Sequence, residues 1–219
     1  MHQKQFSDLI VRGIEGFEFE PDEARIDALY IYFRELKRWS AKINLISKET
    51  SEEAIVEKHF IDSMALLDLL DEQGDHLADI GSGAGFPGLV CKIAMPQVRV
   101  SLIEPRLKRV SFLRHIIRTS GLSSIDVQAN RIEADVELTH EAEFTAVAGR
   151  AVKDINQFLE MCERFNKPSC RVFCMKGPRY KTELSNAAQQ LIKWNLIETK
   201  HYHLPFSQAA RALLVFQGR

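Results

Sequence analysis

The residues best suited to chemistry in this 219-residue chain lie between Leu77 and Gly88, in LADIGSGAGFPG. Short apolar residues (Leu77, Ala78, Ile80) lead into glycines at 81, 83, 85 and 88, and an amphipathic run follows. Strand, glycine turn, helix is an order in which backbone can approach a ligand where side chains would collide. About twenty residues on, the apolar run Val98–Ile103 ends in Glu104. An acidic residue at the end of a second parallel strand can accept hydrogen bonds from a ribose diol. Asp79, Gly81, Ser82, Gly83, Gly85, Phe86 and Glu104 are therefore candidate contacts for a nucleoside-containing cofactor. A tight turn with no ligand is the plain alternative.

Gly83, Gly85 and Gly88 also satisfy G-x-G-x-x-G, which leaves a dinucleotide open. Pro87 stands against it, because it removes an amide where a nascent helix would face a pyrophosphate. Asp79 would repel a phosphate but could pair with a cationic amino-acid or sulfonium group. The residues favour S-adenosylmethionine over NAD.

The elements that must position this stretch follow from periodicity. Phe6, Leu9, Ile10 and Ile14 predict a first helix ending near Gly16. Pro21-Asp22-Glu23 opens a second that runs to about Trp39, and an irregular link covers 40–48. Ser51 starts a third, with its apolar stripe at Ile55, Phe60, Ile61, Met64, Leu67 and Leu70. Residues 1–76 read as a helical cap, 77–219 as the catalytic domain, with the boundary at 71–75. Beyond it strands and helices alternate. Helix 88–95 precedes strand 98–103, and helix 106–120 precedes strands 125–129 and 144–148, with Arg150 just past the latter. Helix 155–165 leads to strand 170–175, which Lys176 follows, then to helix 182–194. Strands 196–204 and 212–216 close the chain. This is an α/β, Rossmann-like doubly wound sheet with strands added at one edge and a helical N-terminal extension.

The formal net charge of -1 hides an asymmetry. Residues 1–76 carry 9 basic against 17 acidic side chains, and residues 77–219 carry 20 against 13. The cofactor half, at +7, is the half that would meet a polyanion. The four cysteines (91, 162, 170 and 174) form no C-x-x-C pair, residues 1–20 lack a signal-peptide core, and no apolar run could span a membrane. These features predict a reduced, cytoplasmic protein. The histidines show no metal-ligand spacing with the cysteines, so no metal is expected, and the three-cysteine cluster of radical methylation is absent.

GSGAGFPG at 81–88, EPRLKRVSFLR at 104–114, GRAV at 149–152 and KG at 176–177 resemble the RsmG/GidB family, as do WSAKINLIS at 39–47 and EKHFIDSMALL at 57–67. The resemblance covers nearly the whole chain. It implies a class I methyltransferase fold that uses S-adenosylmethionine. The activity implied is methylation of N7 of the guanine at position 527, in the 530 loop of 16S rRNA. Carried over by residue, Gly81 and Phe86 match the glycine-loop contacts, Ile132 and Glu133 the pair beside the adenine, and Arg150 the arginine after strand four. The family commonly has Ser where this chain has Gly149.

Guanine N7 can attack a sulfonium methyl without losing a proton, so no residue is assigned as general acid or base. Candidate RNA contacts are Asn44, Arg106, Lys108, Arg109, Arg114, Arg118 and Lys176, with Arg114 and Arg118 on one helix face. The expected partner is 16S rRNA within the small ribosomal subunit or an assembly intermediate, with neither membrane nor DNA. Two rivals remain: a methyltransferase with another substrate, and a non-catalytic RNA-binding protein on the same fold.

Overall fold

The alternation predicted from residue 77 onward builds one seven-stranded sheet. The computed structural model describes residues 1–17, 19–47, 49–132, 137–150 and 152–219. Its strands are β1 (His76–Ile80), β2 (Arg99–Ile103), β3 (Ile125–Gln128), β4 (Ala146–Arg150), β5 (Arg171–Lys176), β6 (Trp194–His203) and β7 (Ala210–Gly218). They lie in the order β3-β2-β1-β4-β5-β7-β6. The first five run parallel, and β7 is antiparallel to both neighbours. Chain order reverses beside β1, where the crevice of an open α/β sheet forms at the strands' carboxyl ends.

Period-two alternation decides what each strand shows to each face. Ala146, Ala148, Phe173, Met175, Leu213 and Val215 join an apolar cluster with the N-terminal helices α1 (Gln3–Gly13) and α2 (Glu23–Ser40), and with α5 (Gly88–Ala94) and α6 (Leu107–Thr119). Val147, Val172, Cys174, Leu214 and Phe216 join a second cluster on the other face, with α7 (Ile155–Met161) and α8 (Tyr180–Asn186). Arg150 continues the 146, 148 series. It therefore emerges toward the N-terminal helices, whereas Gly149 faces α7.

Several boundaries differ from the sequence reading. The third N-terminal helix is not uniform: α3 (Glu52–Ile55) widens into a π-helical turn, Val56–Ile61, before α4 (Asp62–Met64) and a 3-10 turn at Leu67–Leu69. The helix expected over 155–165 stops at Met161, with a 3-10 turn at Glu163–Phe165. The helix expected over 182–194 is shorter and earlier, and Trp194 opens β6 instead. Burial of the indole in the second cluster outweighs the helical spacing before it, and Asn195, expected to end that helix, pairs with Gln217 in the sheet. Arg150 and Lys176 are the last residues of β4 and β5 rather than lying just past their ends.

Candidate active site

Between β1 and α5 the backbone turns through glycines in the left-handed region: Gly81 (φ +67°), Gly83 (+60°) and Gly85 (+101°). The two that matter differ in kind. A Cβ on Gly85 would stand 2.3 Å from Leu89 Cδ1, so packing alone demands glycine there. A Cβ on Gly83 would meet nothing nearer than 3.6 Å, the Arg109 guanidinium, so it would fill open space over the turn. The turn is braced from below. Gly83 N–H donates to Glu104 Oε2 (2.9 Å), Arg106 N–H donates to Oε1 (2.8 Å), and the Ser82 hydroxyl donates back to the Asp79 carbonyl (2.8 Å). Each Glu104 oxygen keeps the capacity to accept one more bond.

Asp79 lies beneath this floor rather than on it. Its carboxylate is fully buried, and Oδ2 accepts from the Gly88 amide (3.0 Å) at the start of α5. Burial pushes its carboxyl up to about 7, against the opposing pull of that amide and of Arg150. Oδ1 has no partner among the described residues. The first amide of α5 thus turns toward a carboxylate and Pro87 has none, an arrangement unsuited to a pyrophosphate.

Above the turn opens a cleft of about 1010 Å³, walled by the glycine turn, the ends of β4 and β5, and the π-helical segment. Arg150 organises its centre. Nη1 donates to the carbonyls of Lys58 (2.7 Å) and His59 (3.5 Å), and Nη2 donates to His59 Nδ1 (3.0 Å). The guanidinium stands 4.9 Å over the Phe86 ring and 3.6 Å from Asp62 Oδ2. Asp62 Oδ1 accepts from Tyr202 (2.8 Å) and pairs with Arg211 (3.3 Å), so one buried carboxylate is shared by two arginines from β4 and β7. The His59 ring stacks on Phe86 (5.1 Å, 25°), and Tyr32 stacks on Phe86 as well (5.2 Å, 27°).

Of the residues singled out in the sequence, Gly81, Ser82, Gly83, Phe86, Arg109, Arg150 and Lys176 line this cleft. Asp79, Gly85 and Glu104 support it from behind. Ile132 is buried in the second apolar cluster, and Glu133 lies outside the described residues. Asn44 lines a neighbouring hollow of about 700 Å³ in the 40–47 segment, joined to the cleft through Arg109, whose Nη2 donates to the Asn44 carbonyl (3.5 Å). Arg106, just before α6, and Lys108, Arg114 and Arg118 along it are exposed to solvent. Lys176 pairs with Glu183 (2.8 Å) on the cleft's far wall. Sequence reasoning gave no role to Asp62, Tyr202 or Arg211. The available signal was the i, i+3 pair of His59 and Asp62 in KHFIDS.

A sheet of this order, a left-handed glycine turn after β1 and an acidic residue after β2 define a Rossmann-like class I methyltransferase fold with a helical N-terminal extension. Solved structures share it. M. jannaschii TYW2, solved in complex with AdoMet, has TM-score 0.57 at 16% identity over 82% of this chain and 80% of that one. The ribosomal protein L11 methylase of Lactobacillus delbrueckii subsp. bulgaricus has TM-score 0.55 at 12% identity over 74% and 79%. Sequence similarity is more specific. A profile of the family described as rRNA small subunit methyltransferase G matches residues 25–214. The ribosomal RNA small subunit methyltransferase G of Desulfotalea psychrophila is 48% identical over 214 residues, 97% of this chain and 98% of that protein. Its counterpart in Alkaliphilus metalliredigens is 33% identical over 94% and 87%. The chain belongs to the rRNA small subunit methyltransferase G family, also called GidB. S-adenosylmethionine fits the residues present: open space over Gly83, a turn braced from behind by Glu104, and an α5 N-terminus closed to phosphate by Asp79.

Proposed function

We propose that the chain transfers a methyl group to N7 of the guanine at position 527, in the 530 loop of 16S rRNA. The observation that supports this reading is the charge of the cleft at the cofactor turn. Among the described residues, Lys58, Arg109, Arg150, Lys153, Lys176, Arg179 and Arg211 line it against Asp62, Asp154 and Glu183. Such a mouth draws in a polyanion. S-adenosylmethionine, held by the Gly81–Gly83 turn and Glu104, supplies an electrophilic methyl on a cationic sulfur. The chain's task is to hold the base in line, exclude water and move no proton. The N7 lone pair would make the new bond, and the departing sulfur would keep the electrons of the broken carbon–sulfur bond. Arg150 holds the 58–62 segment over the site, and Phe86 gives the cleft an aromatic floor. Arg106, Lys108, Arg114, Arg118 and Lys176 are assigned to phosphates, and Asn44 to the approach of the RNA. Residues 1–76 form the cap and 77–219 the methyltransferase domain. The substrate is the small ribosomal subunit or an assembly intermediate, met in the cytoplasm.

The test supplies labelled S-adenosylmethionine and the purified protein to small subunits lacking this methyl group, followed by mapping of the modified nucleotide. Label at N7 of that guanine is the expected result. Cofactor binding without transfer to any small-subunit particle would overturn the substrate.

A further inference from the structure

The buried network around Arg150 fixes one side chain in a state the reaction can use. His59 Nδ1 is paired with an arginine Nη2, which can only donate, so Nδ1 carries the lone pair and Nε2 carries the proton. The ring is clamped, stacked on Phe86 on one side and tied through Nδ1 on the other. The π-helical turn Val56–Ile61 brings it there, and Arg150 takes up the Lys58 carbonyl in that turn. Widened turns of this kind recur at functional sites. His59 lines the cleft, and among the described residues its ring is hydrogen-bonded through Nδ1 alone.

Base recognition sets a problem peculiar to N7 chemistry. Guanine is usually read by an arginine that bonds O6 and N7 together, and that would occupy the lone pair that must attack. A single donor aimed at O6 leaves N7 free. It also rejects adenine, which presents an amino group at the same place beside an equally available N7. The geometry points to His59 as the residue that reads the target base, its Nε2–H donating to guanine O6 while N7 stays open to methylation. This inference rests on the function proposed above. A neutral ring suits the task further, because the purine gains positive charge as its methyl arrives. Burial, then Arg150 and Lys58, hold the His59 imidazolium down to about 3, so the ring is uncharged at working pH.

The test uses His59→Asn and His59→Gln in the full chain. Asparagine keeps an acceptor near Nδ1 for Arg150 but has no N–H at the Nε2 position, whereas glutamine can place an amide there. Unmethylated small subunits carrying either guanine or adenine at the target position are the substrates, with cofactor affinity measured by calorimetry. Wild type is expected to methylate guanine and refuse adenine. His59→Asn is expected to lose about tenfold or more in kcat, the worth of one well-made hydrogen bond. Its guanine preference falls by a similar factor while cofactor affinity holds, and His59→Gln recovers much of both. Wild-type kcat and preference in His59→Asn would overturn the proposal. So would equal losses in Asn and Gln, with or without loss of cofactor binding, since the histidine would then be structural. If wild type itself transfers nothing to the guanine subunits, the proposed function fails first, and that arm is read before either variant.

Discussion

Gly149 gives the sharpest test of how this fold is packed. A Cβ at this position would stand 2.2 and 2.5 Å from Cε2 and Cζ of Phe158. The backbone imposes no glycine-only angle at 149, so the obstacle is the ring alone. Phe158 is buried on α7 within the second cluster and has no solvent to swing into. Overpacking of a rigid core costs about 1–3 kcal/mol. A serine hydroxyl left without a partner beside that ring costs about 1–3 kcal/mol more. Loss of glycine's freedom in the unfolded chain returns only about 0.5–1 kcal/mol.

Gly149→Ser should therefore destabilise the protein by about 3 kcal/mol, which for a chain of this length lowers Tm by about 6–12 °C. Calorimetry and urea unfolding both read it. Phe158→Leu alone should cost about 1–2 kcal/mol, less than truncation to alanine. The double variant should cost at least about 1 kcal/mol less than the two singles together, because the leucine clears the space that the serine needs. A Gly149→Ser Tm within a degree of wild type, or strictly additive losses, would refute the reasoning and mean that the ring yields.

Gly83→Ala should cost only about 1–2 kcal/mol for its left-handed backbone, but lower affinity for S-adenosylmethionine by at least tenfold as the methyl intrudes on the cradle; an unchanged Kd by calorimetry would break the assignment. Arg150→Ala leaves Asp62 its partners Arg211 and Tyr202 but strips the Lys58 carbonyl and His59 Nδ1 of their donor, and should cost about 1–3 kcal/mol with loss of methyl transfer, while Arg150→Lys should recover stability better than activity, because lysine cannot span the Lys58 carbonyl and His59 Nδ1 at once. Stability should also depend on pH between 6.5 and 5. His59 and His76, lowered to about 3 and about 4, refuse protons that the unfolded chain takes up, so each removes stability as pH falls below 6.5. Asp79, raised to about 7, holds a proton that the unfolded chain releases, and adds stability over the same window. The net of one refused proton predicts a loss of about 1.4 kcal/mol per pH unit, and His59→Asn should flatten it, as urea unfolding at pH 6.5 and 5 would show.

How far the sequence reached follows from the range of each interaction. The glycine turn, the β/α alternation and the closing strand pair are local, and all were legible. The stripe Ile55 to Leu70 fits one helix, and only the tertiary pull of Arg150 on the Lys58 carbonyl marks where it widens. Asp79 looked like a ligand's counter-charge, whereas the neighbouring Gly88 amide claims it from below. Arg150 could be placed on the face of Ala146 and Ala148 by counting alternate residues. What waits on that face, however, comes from 58–62, 202 and 211, segments up to 149 residues apart in the chain. No periodicity links them. Buried charge is the physical thread instead: Asp62 can be carried into the core only because Arg150 and Arg211 arrive with it. A motif such as KHFIDS is therefore half of a site, and its histidine gains a defined tautomer only when a distant strand delivers the arginine.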